Sequence, residues 1–147
     1  MEDFFSDEYF MKQALLEANK AFERHEVPIG AIIVSNNQII ARAHNSVEHL
    51  ADSTAHAEIL AITSASNHLG SKYLTDCSLY VTVEPCPMCA GAISLAQISK
   101  LIYGTSDPKI GYTNYSSEII NNKIEIVSGI LETESSELLK QFFKLKR

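Results

Sequence analysis

The stretch Ser78-Leu79-Tyr80-Val81-Thr82-Val83-Glu84-Pro85-Cys86-Pro87-Met88-Cys89 decides the reading of the fold. Its first six residues alternate and are rich in β-branched and aromatic side chains, as a strand requires. Pro85 and Pro87 follow at once, and proline suits the first turn of a helix. The small residues of 86–96 predict a helix beginning there, and Leu101, Ile102 and Tyr103 predict the next strand over 100–104. Upstream, Met11, Ala14, Leu15, Ala18 and Phe22 recur at helical spacing within residues 7–25. Ser6 is the expected N-cap, Asp7 and Glu8 favour the first turn, and Pro28 stops the segment. Residues 31–34 and 38–43 are β-rich and separated by Ser35-Asn36-Asn37, which predicts a hairpin. A polar stretch over 45–54 leads into an alanine-rich helix over 55–65. Residues 105–119 read as a loop, 123–127 as a short strand and 133–146 as a closing helix. The order α-β-β-α-β-α-β-β-α predicts one layered α/β domain over residues 1–147, with a mixed sheet covered on both faces.

Composition narrows the function classes. The 147 residues are 46% hydrophobic and 20% charged, which excludes a disordered chain. No apolar run approaches the ~18 residues of a membrane span, and the acidic N-terminus lacks the basic and apolar regions of a secretory signal. The expectation is a cytoplasmic protein with no membrane partner. Three cysteines, Cys77, Cys86 and Cys89, are an odd and small number. They argue against a disulfide framework and leave metal or thiol chemistry open. The net charge of −6 argues against a nucleic-acid partner, but it is unevenly spread. Glu2, Asp3, Asp7 and Glu8 crowd the start, whereas Lys140, Lys144, Lys146 and Arg147 crowd the end. From charge alone, these last cations are best read as complementing a helix dipole.

Two segments carry chemistry: Thr54-Ala55-His56-Ala57-Glu58 at a predicted helix start, and Glu84-Pro85-Cys86-Pro87-Met88-Cys89 at a strand–helix junction. His56, Cys86 and Cys89 supply three good ligands for Zn²⁺, leaving a fourth position for water, which is the catalytic pattern. Cys86 and Cys89 stand three apart at a helix N-terminus, where the dipole lowers thiol pKa values. On a straight helix His56 and Glu58 would point about 200° apart. They converge only if the metal lies off the helix's N-terminal end. Glu58 would then take the water's proton and hand it on. Cys-x-x-Cys or His-x-Glu alone is weak evidence, but the combination, with Pro85 before the first Cys, is the zinc deaminase signature. A structural zinc site or a redox pair is the alternative. The first would need a fourth ligand that is not evident, and the second has no βαβ unit leading into it.

The resemblance extends beyond the motif. From about Tyr9 onward the chain resembles the bacterial tRNA-specific adenosine deaminases of the cytidine deaminase-like superfamily. Val27-Pro28-Ile29-Gly30-Ala31, Thr54–Glu58, Leu79-Tyr80-Val81-Thr82, Glu84-Pro85-Cys86, Met88-Cys89-Ala90-Gly91-Ala92 and Phe142-Phe143-Lys144 carry it. The resemblance implies a three-layer α/β/α cytidine-deaminase-like fold with a central five-stranded mixed sheet. It implies one zinc on His56, Cys86 and Cys89, with Glu58 as proton shuttle. It also implies substrate-binding roles for Asn45, Ile29, Ala57, Asp107 and Phe143. The partners implied are a tRNA anticodon loop and a second copy of the chain, with the helix over residues 88–96 near the interface. The activity implied is deamination of adenosine to inosine at the wobble position. The alternative is the same chemistry on a free base or nucleoside such as guanine or cytosine.

One departure stands out. After Asp107 the family is often rich in glycine and alanine, whereas this chain has Lys109-Ile110-Gly111-Tyr112-Thr113-Asn114-Tyr115-Ser116. The two tyrosines are expected either to stack flanking bases or to reshape the pocket. Other candidates take plainer readings. Cys77 is expected to be a buried apolar residue. His25, His44, His49 and His68 are expected at surfaces or helix ends. Phe142 is expected to point inward and Phe143 to be partly exposed.

Overall fold

Ser6 opens the first helix: its hydroxyl oxygen accepts a hydrogen bond from the Tyr9 amide at 3.1 Å. The computed structural model describes residues 5–146, so Glu2, Asp3 and Arg147 lie outside the described residues. Helix α1 spans Asp7–Glu23. It ends two residues before the expected boundary because His25 turns left-handed, with φ 63°, and the Glu26 amide donates back to Ala21 O at 2.9 Å. Strands β1 (Gly30–Ser35) and β2 (Gln38–His44) form the expected hairpin. Its connection is the two residues Asn36 and Asn37, both at positive φ, as a tight turn of this hand requires.

The polar stretch after β2 contains a short helix, α2 (Val47–Leu50), which the sequence pattern did not reveal. Helix α3 (Ala57–Leu69) runs past its expected end to Gly70, whose left-handed φ of 63° closes it. Strand β3 (Cys77–Val83), helix α4 (Pro87–Leu95) and strand β4 (Lys100–Thr105) follow as expected. The segment over 105–119 is more ordered than a plain loop, with 3₁₀ turns at Tyr112–Asn114 and Ser117–Ile119. Strand β5 (Glu125–Ser128) and helix α5 (Glu132–Leu145) complete the described chain.

The five strands form one mixed sheet in the order β2-β1-β3-β4-β5. β1 is antiparallel to both neighbours, whereas β3, β4 and β5 are mutually parallel. The strand alternation feeds two cores. Ala31, Ile33, Leu79 and Val81 face α3 and α4, and Ile32, Val34 and Tyr80 face α1. The helices therefore cover both faces, giving the three layers. No helix among the described residues is long and apolar enough to cross a membrane.

β2 runs parallel to β3, because each is antiparallel to β1. The C-terminal ends of β2, β3, β4 and β5 and the start of β1 therefore share one edge of the sheet. In open α/β sheets, that edge is where ligands bind. At the start of β1, Gly30 lies directly under α1. A Cβ there would sit 2.1 Å from Ala14 O and 2.4 Å from Ala18 N. Backbone atoms of a helix cannot yield as a side-chain tip can. Gly30→Ala is expected to destabilise the fold by about 3 kcal/mol, the upper range for overpacking, read as a lowered denaturation midpoint with an unchanged slope.

Candidate active site

Each element reaches the C-terminal edge of the sheet with a chemically distinct residue. β2 ends at His44 and hands on to Asn45, β3 leads through Glu84 and Pro85 to Cys86, and β4 leads to Asp107. Ile29 lies just before β1.

His56 and Cys86 occupy equivalent positions. His56 is the N-cap of α3, with φ −76° and ψ 152°, and Cys86 is the N-cap of α4, with φ −72° and ψ 169°. Neither side chain caps its own helix. Each turns toward the other. His56 Nδ1 lies 3.6 Å from Cys86 Sγ and 3.5 Å from Cys89 Sγ. The extended backbone at His56 resolves the angular conflict between His56 and Glu58: the imidazole leaves from the cap, and Glu58 from the first turn.

The distances test the group against zinc. Bonds of about 2.3 Å to sulfur and about 2.0 Å to nitrogen, arranged tetrahedrally, separate the two donors by roughly 3.5 Å. The two observed N···S distances match that separation, and the three donor groups lie within 4.8 Å of one another. The imidazole, the two sulfurs and their spacing fit a tetrahedral ion.

Protonation agrees with a cation-seeking group. A hydrogen bond from Cys89, with His56 alongside, holds the Cys86 thiol down to about 4. The same bond, together with burial, pushes Cys89 far above the usual thiol range. The Cys86 interaction also raises His56. The shared hydrogen bond thus favours the thiolate at Cys86 over Cys89, and a bound metal would take both as thiolates. Glu58 is fully enclosed, and burial pushes its carboxyl up to about 7, with the Cys86 charge adding to the effect.

The remaining expected residues are placed as follows. Asn45 is buried, and its Oδ1 accepts from the Ala57 amide at 2.8 Å. That bond ties the end of β2 to the first turn of α3. Ala57 is buried at that turn. Ile29 is half-buried against the core, and its carbonyl accepts from the Asn45 amide at 3.1 Å. Asp107 is half-buried, and its Oδ1 accepts from the Lys109 and Ile110 amides, closing a turn. Phe142 is 6% exposed and packs on Phe22, whereas Phe143 is 50% exposed. Both match expectation, although no contact ties Phe143 to the His56–Cys86–Cys89 group among the described residues.

The two tyrosines after Asp107 separate. Tyr112 is 2% exposed and belongs to the core beside α3 and α4, so it does not stack on a base. Tyr115 is 64% exposed. His44 and His49 pair with buried carboxylates, Glu17 at 3.2 Å and Glu26 at 2.8 Å. Cys77 is buried, as expected.

Comparison with known proteins identifies the family. The family described as MafB19-like deaminase matches residues 5–147. The chain is 48% identical over 143 residues to the tRNA-specific adenosine deaminase of Bacillus subtilis (94% of this chain, 89% of the relative). It is 50% identical over 145 residues to the enzyme of the same name from Aquifex aeolicus, covering 95% of each chain. A solved structure from a study of A-to-I editing by tRNA:A34 deaminases at the wobble position of transfer RNA superimposes with a TM-score of 0.83. It is 45% identical and covers 89% of this chain and 99% of its own. Guanine deaminase structures from Nitrosomonas europaea share the fold at 23% identity, with a TM-score of 0.85. With such identity along nearly its whole length, the chain belongs to the family of tRNA-specific adenosine deaminases, among the MafB19-like deaminases.

Proposed function

We propose that the chain acts as one zinc-dependent deaminase domain that converts adenosine to inosine at the wobble position of a tRNA anticodon. The observation that carries the chemistry is the meeting of His56, Cys86 and Cys89 at two helix N-termini, with the enclosed carboxyl of Glu58 beside them. The substrate assignment draws on the relatives, whose names specify tRNA adenosine.

In this reading His56, Cys86 and Cys89 hold the zinc. Bound there, the ion would supply Lewis-acid activation of a water. Glu58 accepts the proton that this water loses, and a carboxyl near neutrality suits both taking and giving it. It passes the proton to the purine ring nitrogen as C6 is attacked. It then assists departure of the amino group as ammonia, so that adenosine and water give inosine and ammonia. Asn45 Nδ2 hydrogen-bonds the held-out nucleotide, and Ile29 packs on the base. The first turn of α3 at Ala57 presents its backbone close to the base, and Asp107 borders the nucleotide. Phe143, with Lys144 and Lys146, offers an aromatic and cationic surface to the flanking RNA. We also propose a homodimer formed through α4, whose Met88 and Leu95 are 39% and 81% exposed.

The direct test is ammonia release from adenosine, adenine, guanine, cytosine and an anticodon stem-loop carrying wobble adenosine. Activity confined to the stem-loop is expected, and turnover of guanine or cytosine with none on the stem-loop overturns the tRNA assignment. The purified protein is expected to hold about one zinc per chain by elemental analysis. Cys86→Ala is expected to lose the metal and lower the thermal midpoint together. Glu58→Ala is expected to keep zinc and fold while losing at least ~10²–10⁴-fold in turnover, the range for an acid–base group; normal turnover would refute the shuttle. Stem-loop affinity is expected to fall with salt by roughly −0.7 log units per log unit for each phosphate contact. Replacing Lys140, Lys144, Lys146 and Arg147 with Gln is expected to flatten that slope. Lys140 should contribute least, because Glu137 already lies 3.8 Å from its ammonium.

A further inference from the structure

We infer that Glu84 is a positioning residue, a buried clamp that fixes the loop carrying Asp107 against the nucleotide side of the site. The inference rests on the deaminase reading given above.

Glu84 follows the last residue of β3 and precedes Pro85 and Cys86, and its side chain is buried. It turns away from the metal-ligand group, toward the chain beyond β4. One oxygen, Oε1, accepts from the Asp107 amide at 3.1 Å. The other, Oε2, accepts from the Thr113 amide at 3.0 Å and from the Thr113 hydroxyl at 2.7 Å. A single carboxylate thus ties together two points six residues apart in the loop. Its partners are two backbone amides and a hydroxyl, with no cation among them.

Between the two points the loop is shaped around this carboxylate. A Cβ at Gly111 would stand 2.3 Å from Glu84 Cδ and 2.4 Å from Oε2, so the backbone passes over the carboxyl where no side chain fits. The Tyr112 amide donates to Pro85 O at 2.9 Å, fastening the same loop to the residue before Cys86. Asn114 Nδ2 donates to the carbonyls of Asp107 and Gly111, at 2.8 and 3.1 Å, which closes the loop on itself. Asp107 is therefore placed by Glu84 from outside and by its own turn from inside.

A buried carboxylate without a cation is an expensive way to hold a surface loop, and apolar packing would do so at lower cost. What the carboxylate adds is direction. Both oxygens must accept, so the loop has one arrangement in which all three donors are satisfied. Glutamine at this position would keep the volume but present an NH₂ to one of the N–H groups.

The test uses the zinc-loaded protein and the wobble-adenosine stem-loop. Glu84→Gln is expected to retain zinc, raise KM about tenfold and leave kcat within about threefold. Thr113→Val, a change at an exposed loop residue, is expected to raise KM about threefold alone and to add nothing in the Glu84→Gln background. Hydrogen exchange gives a reading independent of activity. In Glu84→Gln the amides of Asp107 and Thr113 should exchange at least tenfold faster, while those of Leu79, Tyr80 and Val81 keep their wild-type rates. Unchanged KM and unchanged loop exchange in Glu84→Gln overturn the inference, as does faster exchange spread evenly through β3 and the loop. If Glu84→Gln does not fold, an unaltered KM in Thr113→Val overturns it and a raised KM supports it. A wild-type protein inert on the stem-loop would defeat the functional reading, and the exchange rates would still decide the role of Glu84.

Discussion

Two helices that begin at the same point impose the arrangement around them. α3 and α4 each leave unpaired backbone N–H groups and the positive end of a dipole at their N-termini. Here the two ends face one another, because their caps, His56 and Cys86, come within hydrogen-bonding range. N-cap positions ordinarily hold Ser, Thr, Asp or Asn, and losing that cap costs about 0.5–2 kcal/mol. Neither His56 nor Cys86 makes a capping bond, and at α3 the first amide, that of Ala57, is met instead by Asn45 Oδ1. At both helix starts the cap side chain is turned to the other cap instead of to its own helix, as a functional demand would require. Hydrogen bonds from Cys89 and His56 lower the pKa of the Cys86 thiol there. Burial acts in the opposite sense on Glu58, which keeps its proton to near neutrality. Neighbouring acids pushed in opposite directions divide the labour between holding a cation and moving a proton.

Sheet topology brings the rest to that point. With β1 the single reversed strand, β2, β3 and β4 all deliver their C-terminal ends to one edge. Residues far apart in sequence, Asn45, Cys86 and Asp107, become neighbours of the same edge without any long connection reaching across the molecule. Gly30 serves this arrangement too. Its missing side chain lets β1 pass under α1 at contact distance.

Much of this was legible in the sequence because its signals are local. The alternation of residues 78–83, the Asn36-Asn37 turn and the His-x-Glu and Pro-Cys-x-x-Cys spacings each rest on neighbours along the chain. What escaped is held by contacts between distant residues. The short helix Val47–Leu50 carries little helical pattern and owes its place to Glu26, a buried carboxylate 22 residues earlier that accepts from the Glu48 amide. The ordering of residues 107–114 depends on Glu84, which the sequence shows only as part of a motif. Tyr112 read as a candidate for base stacking because it follows Asp107, yet the backbone bond to Pro85 O draws it into the core. Only the exposed Tyr115 remains free to meet a substrate.

The acidic net charge, which by itself argued against a nucleic-acid partner, changes meaning once burial is known. Glu17, Glu26, Glu58 and Glu84 are all buried, and each has a local task. Glu17 meets Lys20 and His44, Glu26 holds α2, Glu58 stands beside the ligand group and Glu84 gathers a loop. The carboxylates of Glu17, Glu26 and Glu84 are taken up by these partners, and Glu58 stands beside the ligand group. Charges beyond about 8 Å are largely screened at physiological ionic strength, so a partner responds to the surface it touches rather than to the sum over the chain. The end of α5 carries Lys144 and Lys146 close in sequence to the exposed ring of Phe143, and the Lys146 ammonium sits 5.2 Å above the Phe142 ring. An acidic total and a locally cationic, aromatic helix end are thus compatible in one small protein, and four of its 18 acids are buried inside.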